Sequence, residues 1–238
     1  MWTLARKVIT RALTGAVSCG LLLHGGAVEA TIIDFTSANA TAHFDINNTL
    51  GTMMITLTNT GHVAAIGNTL TGIVFTFSVV PPALALTGAN AAGTASCTGT
   101  GNSTSCTTSA VPVAAVGASP FGWTDAVSGT TDSLQAGAGS FKPDGIVNST
   151  IVAEGKDGLG QSGHNPYLLG PVTFLKTFTA NSTFDLGPTV TFDFGTGPTT
   201  ENGTTAVPEP ASLFLLGSAL VGLGAWGRRG RGKRKIVA

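Results

Sequence analysis

The chain has 238 residues, and only 10% of them are charged, with a formal net charge of zero. That zero hides an uneven distribution, because nine of the twelve Lys and Arg residues lie before residue 31 or after residue 227. Residues 31–207 contain three Lys, no Arg and ten carboxylates, which gives a net charge of −7 (3 − 10). Such an acidic segment argues against binding to nucleic acid or anionic lipid, and acidic polysaccharide would need bridging cations.

The first thirty residues predict a secretory signal peptide. An apolar stretch at residues 12–23 follows a positive segment, and Val28 and Ala30 occupy the −3 and −1 positions of a cleavage site for small residues. The positive residues are Arg6, Lys7 and Arg11. We expect export by the Sec machinery and cleavage by signal peptidase after Ala30, so that the exported domain begins at Thr31. The alternative is an N-terminal membrane anchor that is not removed.

Alternation of apolar and polar residues predicts an all-β domain over residues 31–194. The alternating runs are residues 52–58, 73–79, 172–178 and 190–194. A period of two places the aromatic and aliphatic side chains on one buried face and Thr, Ser and Asp on the wet face. We therefore predict a β-sandwich of two packed antiparallel sheets with long loops rich in Gly, Thr and Ser. Residues 88–140 are predicted to be long loops with weak strands, anchored by Phe121, Trp123 and Leu134.

Two cysteines of the exported segment predict a disulfide bond. Cys97 and Cys106 form an even pair in an oxidising compartment, and small, turn-forming residues separate them. A zinc site is the alternative, but two thiols do not make a complete zinc site.

The most polar region, residues 142–167, supports two weaker alternatives. Asp144, Glu154 and Asp157 are oxygen donors on glycine-containing turns, which would suit calcium. Their spacing does not match an EF-hand, and Asp-Gly is also an ordinary turn sequence. His164 beside these carboxylates would be part of a hydrolytic site, but residues 31–207 lack a Gly-x-Ser-x-Gly nucleophile motif. We therefore assign no catalytic residue and no cofactor, with calcium as the alternative.

The C-terminal segment has the order of a sorting signal. A predicted flexible linker at residues 195–207 leads to Pro208, Glu209 and Pro210, and an apolar run at 211–227 follows. Its ~17 residues would span roughly 25 Å as a helix, the short end of what crosses a bilayer. Basic residues after the run would hold that end in the cytoplasm. They are Arg228, Arg229, Arg231, Lys233, Arg234 and Lys235.

The segment from Val207 to Arg229, with its Pro-Glu-Pro, spaced apolar residues and basic end, resembles the PEP-CTERM sorting domain of Gram-negative bacteria. The resemblance implies processing near Pro208–Pro210 by an exosortase, a membrane cysteine protease, in species that make exopolysaccharide. It implies an inner-membrane-anchored intermediate that then reaches the cell surface or the extracellular matrix.

The favoured functional hypothesis is an exported, non-catalytic surface or matrix protein associated with exopolysaccharide or biofilm. One alternative is a calcium- or carbohydrate-binding adhesion module, in which Trp123, Tyr167 and exposed Phe side chains would stack on sugar rings. The other is a secreted hydrolase.

Overall fold

Regular structure in the described residues is almost entirely β-strand. The computed structural model of the chain describes residues 30–61, 68–79, 82–100, 104–137, 145–154, 159–160, 164–195 and 199–205. The strands are β1 Thr31–Thr36, β2 Ala40–Asn47, β3 Thr52–Asn59, β4 Leu70–Phe77, β5 Ala85–Thr98, β6 Ser105–Ser109, β7 Val113–Val116, β8 Thr124–Ser128, β9 Thr131–Gln135, β10 Ile146–Val147, β11 Tyr167–Thr177, β12 Leu186–Phe194 and β13 Thr199–Thr205. A 3-10 turn at Pro120–Gly122 and one short helix, α1 at Ser149–Glu154, complete the regular elements of the described ranges.

The predicted alternation is correct for individual strands. In β3, Met53, Ile55 and Leu57 are buried, whereas Met54 points outward and is exposed. The same period holds in β4 and β12, where Phe75 and Phe192 face the core. The sequence pattern therefore identifies which face of each strand is buried, as expected from the pleat of a β-strand.

The predicted two-sheet sandwich is wrong, because the strands form one sheet that closes into an eight-stranded β-barrel. The order around the barrel is β11-β3-β2-β1-β13-β12-β4-β10, and β10 then pairs with β11. Neighbouring strands are antiparallel except β10 and β11. A period-2 pattern is the same in a sandwich and in a barrel, so the pattern does not reveal closure.

Closure depends on the two-residue strand β10 and on an asparagine clamp around it. Ile146 lies opposite Leu70 of β4 and Leu168 of β11. The Asn59 side chain donates to the Ile146 carbonyl at 2.9 Å, and the Asn148 side chain donates to the Asn59 carbonyl at 3.1 Å. These amides satisfy backbone groups at the point where the long strand β3 ends.

The predicted flexible linker at residues 195–207 is also wrong, because most of it is barrel strand β13. This strand lies between β12 and β1, and its partners run from Phe194↔Thr199 to Phe35↔Thr205. Gly203 is buried against Phe192 and Val190 of β12. A segment of Thr, Gly and Asn has the composition of a tether, but here backbone pairing on both sides orders it.

The described residues 88–100 and 104–137 form mainly regular strands rather than long loops. β5 extends the sheet beyond β11 and carries β6 and β7 along its far edge, while β9 and β8 extend the sheet beyond β4. The predicted anchors Trp123 and Leu134 are fully buried, and Phe121 is half-buried. Gly93 allows β5 and β6 to pack closely, since a Cβ atom at this position would collide with the Ser109 carbonyl.

The core is dominated by phenylalanine. A chain of edge-to-face contacts, with ring centroids 4.8–5.6 Å apart, runs through Phe35, Phe44, Phe75, Phe77, Phe184 and Phe178. Such pairs add about 0.5–1.5 kcal/mol each beyond burial of their area. A second, smaller core under α1 contains Cys97, Ile151 and Tyr167.

No helix among the described residues is long and apolar enough to cross a membrane. The predicted span at 211–227 and the predicted signal peptide up to residue 29 lie outside those residues.

Candidate functional site

The two termini of the barrel lie next to the predicted processing sites. Thr31 is the first residue of β1, and it follows directly on Ala30, the residue before the predicted signal cleavage. Thr205 is the last residue of β13. Because β1 and β13 are antiparallel neighbours, the start of β1 and the end of β13 point to the same end of the barrel. Thr205 itself lies opposite Phe35, four residues along β1 from Thr31, and the predicted C-terminal processing site at Pro208–Pro210 lies outside the described residues.

A half-buried carboxylate connects β13 to the turn between β1 and β2. Glu201 of β13 accepts hydrogen bonds from the backbone and side-chain amides of Asn39, in the turn between β1 and β2. Burial acts to raise the pKa of Glu201, but the hydrogen bonds from Asn39 and Ser37 outweigh burial and lower it. The ionised Glu201 thus holds β13 in place close to the sorting segment.

The sorting motif and the side chains of the predicted calcium site lie outside the described part of the chain. Pro208, Glu209, Pro210 and the basic residues Arg228, Arg229, Arg231, Lys233, Arg234 and Lys235 lie outside the described residues. So do Asp144, Asp157 and the side chain of Glu154. Among the described residues, no group of three His, Cys, Asp or Glu side chains is arranged to hold a metal ion.

The predicted disulfide between Cys97 and Cys106 is present. The two cysteines lie directly opposite each other on β5 and β6, with Cα atoms 4.0 Å apart. Beside this bond lies a surface depression of about 550 Å³. Thr108, Ser149 and Val152 are among its lining residues, and none of the lining residues is charged. The depression offers hydroxyl and apolar contacts without an acid or base.

The residues expected to stack on sugars or to act in hydrolysis are part of the interior. Trp123 and Tyr167 are fully buried, so the prediction that they stack on sugar rings is wrong. Tyr167 donates from its hydroxyl to the Leu159 carbonyl at 3.1 Å, and burial raises its pKa. His164 is also buried, and burial lowers its pKa. Asn165 accepts a hydrogen bond from the Cys97 backbone amide at 2.6 Å, which ties this loop to the disulfide strand.

Five threonines form an aligned row on the outer surface. The residue pairs Thr189↔Thr204, Thr204↔Thr36, Thr36↔Thr41 and Thr41↔Thr58 are consecutive register partners across β12, β13, β1, β2 and β3. Thr36, Thr189 and Thr204 are exposed, and Thr41 and Thr58 are half-buried. Neighbouring strands are about 4.8 Å apart, so the row presents evenly spaced hydroxyl and methyl groups.

A buried ionic cluster lies inside the barrel, and sequence reasoning did not single it out. Lys176 of β11 is 0% exposed and contacts Asp132 of β9, which is also 0% exposed. Its ammonium donates to Asp125 of β8 at 2.7 Å and lies 5.7 Å from the centre of the Phe75 ring. The sequence signal that could have identified it is the two-residue period of β11, which places Lys176 on the same buried face as Val172 and Phe174.

The cluster holds one cation between two carboxyl groups. Burial, against the lowering effect of Lys176 and with a smaller raising effect of Asp125, raises the pKa of Asp132 to about 7. Asp125 accepts a hydrogen bond from the Leu86 backbone amide at 3.2 Å through its other oxygen. Asp132 Oδ1 has no hydrogen-bond partner within the described part of the chain. Asp132 therefore carries its proton for part of the time near neutral pH.

Comparison with protein families identifies one match. Residues 206–229 match the family model of the PEP-CTERM protein-sorting motif. Comparison with curated proteins and with solved structures found no match. The motif indicates an exported protein that an exosortase sorts to the cell surface, as the sequence predicted. It begins one residue after β13 ends, so the matched segment and the described barrel do not overlap.

Proposed function

We propose that this chain, which carries a PEP-CTERM protein-sorting motif, delivers a non-catalytic barrel domain to the extracellular matrix, where it associates with exopolysaccharide. The observation that carries this proposal is the position of the motif at residues 206–229, directly after the final barrel strand. Cleavage near Pro208–Pro210 would remove the apolar run and the basic tail and leave every described strand in the released product. In this proposal the barrel is the exported domain, and the C-terminal segment is the sorting signal that directs it.

A matrix role fits the chemistry of the outer surface. The segment from residue 31 to 207 has a net charge of −7 (3 − 10), so contact with a neutral polysaccharide, or with an acidic one through bridging cations, is favoured over contact with nucleic acid. The row from Thr189 to Thr58 offers hydroxyl groups at regular spacing, which suits a partner that is itself built of hydroxyl groups. We assign the polysaccharide contact to this row.

Deletion of residues 206–238 in the native host tests the sorting part of the proposal. We expect the wild-type protein on the cell surface and in the matrix, and the truncated protein in the periplasm. A second variant, in which Pro208, Glu209 and Pro210 are all replaced by Ala, keeps the apolar run and should accumulate in the membrane fraction uncleaved. An unchanged distribution of both variants would rule out sorting through this segment.

Co-sedimentation with the host's purified exopolysaccharide tests the matrix part. The variant combines Thr36→Val, Thr41→Val and Thr204→Val, which keep the β-branched shape but remove the hydroxyl groups. The matched control combines Thr107→Val and Thr124→Val, on β6 and β8, away from the row. We expect weaker sedimentation for the first variant alone. Equal sedimentation of all three proteins would exclude the row, and no sedimentation of the wild type would exclude the association.

A further inference from the structure

The Lys176 cluster brings an amine and a carboxyl group together in a setting from which water is excluded. Lys176 and Asp132 are both 0% exposed and in contact, and Asp125 is only 11% exposed. The Phe75 ring lies on one side of the amine, and Trp123 packs on Phe174, two residues from Lys176 on the same strand face. Buried ion pairs are costly, and nothing in the sorting function requires this one.

We propose that Lys176 and Asp132 join in an intramolecular amide bond, an isopeptide, with Asp125 as the catalytic acid and base. The bond would connect Nζ of Lys176 on β11 with Cγ of Asp132 on β9. These two strands are not neighbours in the sheet. The bond would therefore tie the β8–β9 extension to the wall of the barrel by a covalent link across the interior.

Burial favours the reactive form of the carboxyl group. Removal from water disfavours charge, so the enclosed Asp132 shifts toward the carboxylic acid, which is the electrophile, and the amine becomes the nucleophile once Asp125 has taken its proton. The raised pKa of Asp132 is in the direction that this chemistry needs. The fold holds the reacting groups in contact, and such positioning replaces a bimolecular encounter by an effectively unimolecular step.

Asp125 is placed to move the protons. It lies 2.7 Å from Lys176 Nζ, which itself contacts Asp132, so it is placed beside both reacting groups. The Leu86 backbone amide holds its other oxygen at 3.2 Å. Asp132 has no comparable backbone donor in the described residues, since its Oδ1 is without a hydrogen-bond partner. We therefore assign Asp132 as the carboxyl that reacts and Asp125 as the one that does not.

The reaction balances without an oxidant or any other co-reactant. Asp125 takes one proton from the Lys176 ammonium, and the nitrogen lone pair attacks Cγ of Asp132 to give a tetrahedral intermediate. Asp125 returns that proton to the leaving hydroxyl, which departs as water when the C–O bond breaks. Asp125 then takes the second proton from the nitrogen. The products are a neutral amide, one water molecule and protonated Asp125, which is partly exposed and releases its proton to solvent.

The intact mass and the peptide map of the full protein recovered from its native culture test this proposal. Trypsin does not cleave before proline, and Pro143 follows Lys142, so Lys156 and Lys176 are the trypsin sites between residues 31 and 205. We expect a product lighter by one water molecule, no cleavage after Lys176, and the peptide ending at Lys156 linked to the one containing Lys176. The disulfide does not complicate the map, because Cys97 and Cys106 both lie in the peptide that ends at Lys156. A full-mass protein cleaved normally after Lys176 would overturn the proposal.

Three variants identify the roles. Lys176→Arg keeps a cation and a trypsin site, and Asp132→Ala removes the electrophile, so neither should lose water. Asp125→Ala should leave Lys176 and Asp132 unlinked in protein that is still secreted and resists proteolysis. A link at Asp125 in the wild type would contradict the assignment of Asp132. A full yield of the link in Asp125→Ala would contradict the catalytic role of Asp125. The wild-type map decides the existence of the bond even if a variant fails to fold.

Discussion

Gly203→Ala tests whether residues 199–205 are a barrel strand. A Cβ atom at this position would lie 2.6 Å from Cε2 of Phe192 and 2.9 Å from Cγ2 of Val190. Both neighbours are buried in β12, so neither can turn into solvent. In a flexible tether the same substitution would meet nothing. The substitution therefore distinguishes a strand from a linker by stability alone.

The expected loss follows from two opposing effects. Overpacking a core by one methyl group costs about 1–3 kcal/mol. Replacing Gly by Ala returns about 0.4–1 kcal/mol by restricting the unfolded chain. We expect a net loss of about 1–2 kcal/mol, which is roughly 2–8 °C in Tm for a domain of this size. Urea unfolding monitored by tryptophan fluorescence measures it, since Trp123 is fully buried.

The matched control is Thr204→Ala, the next residue along the strand, which is exposed on the outer face. A surface change of this kind should stay within about 0.5 kcal/mol of the wild type. If Gly203→Ala is as stable as the control, Gly203 does not pack against β12 and the assignment of β13 to the barrel is refuted.

Three further predictions concern the disulfide and two titrating groups. Replacing both Cys97 and Cys106 by Ser should lower the free energy of unfolding by roughly 2–3 kcal/mol on the chain-entropy estimate, and an unchanged urea midpoint would contradict a formed bond. Burial lowers the pKa of His164, so the unfolded chain takes up the proton first and stability should fall as pH drops below 6.5. Thermal melts of His164→Gln should lack that slope, whereas an equal slope in both proteins would exclude His164 as its source. The lowered pKa of Glu201 contributes stability that is present above pH 4.5 and is lost as the pH falls below it. Glu201→Gln should therefore lose less stability than the wild type in thermal melts at acidic pH. An unchanged dependence of Tm on acidic pH would argue against the contact with Asn39.

The sequence pattern predicted local features well and long-range pairing poorly. Alternation identified the buried face of β3 and β12, because the pleat determines it residue by residue. Closure of the barrel depends on β10, whose two residues Ile146 and Val147 are too few to show a period. β13 was missed because its seven residues contain no apolar side chain and therefore no alternation, and because Gly and Asn have low strand preference; its order comes from pairing with β1 and β12.

Among the candidate sites, the sequence predicted contacts between residues that are close in sequence and missed contacts between residues that are far apart in sequence. The pairing of Cys97 with Cys106 followed from their short separation and the compartment. Trp123 and Tyr167 were expected at a sugar-binding surface, but Trp123 packs on Phe174 in the main core and Tyr167 belongs to the smaller core under α1. The Lys176 cluster joins β8 and β9 to β11, which is distant from them in sequence. The one indication in the sequence was that Lys176 occupies a position that the alternation of β11 assigns to the buried face. The calcium site at Asp144, Glu154 and Asp157 stays a prediction.

The measurement that tests the central claim most directly is the intact mass of the protein from the native culture surface and medium. The account predicts a species that starts at Thr31 and ends between Val207 and Pro210, so that the barrel is released whole and the apolar run and basic tail are gone. A species that retains residues 211–238 would contradict processing at the sorting motif and would leave the matrix role without its main support.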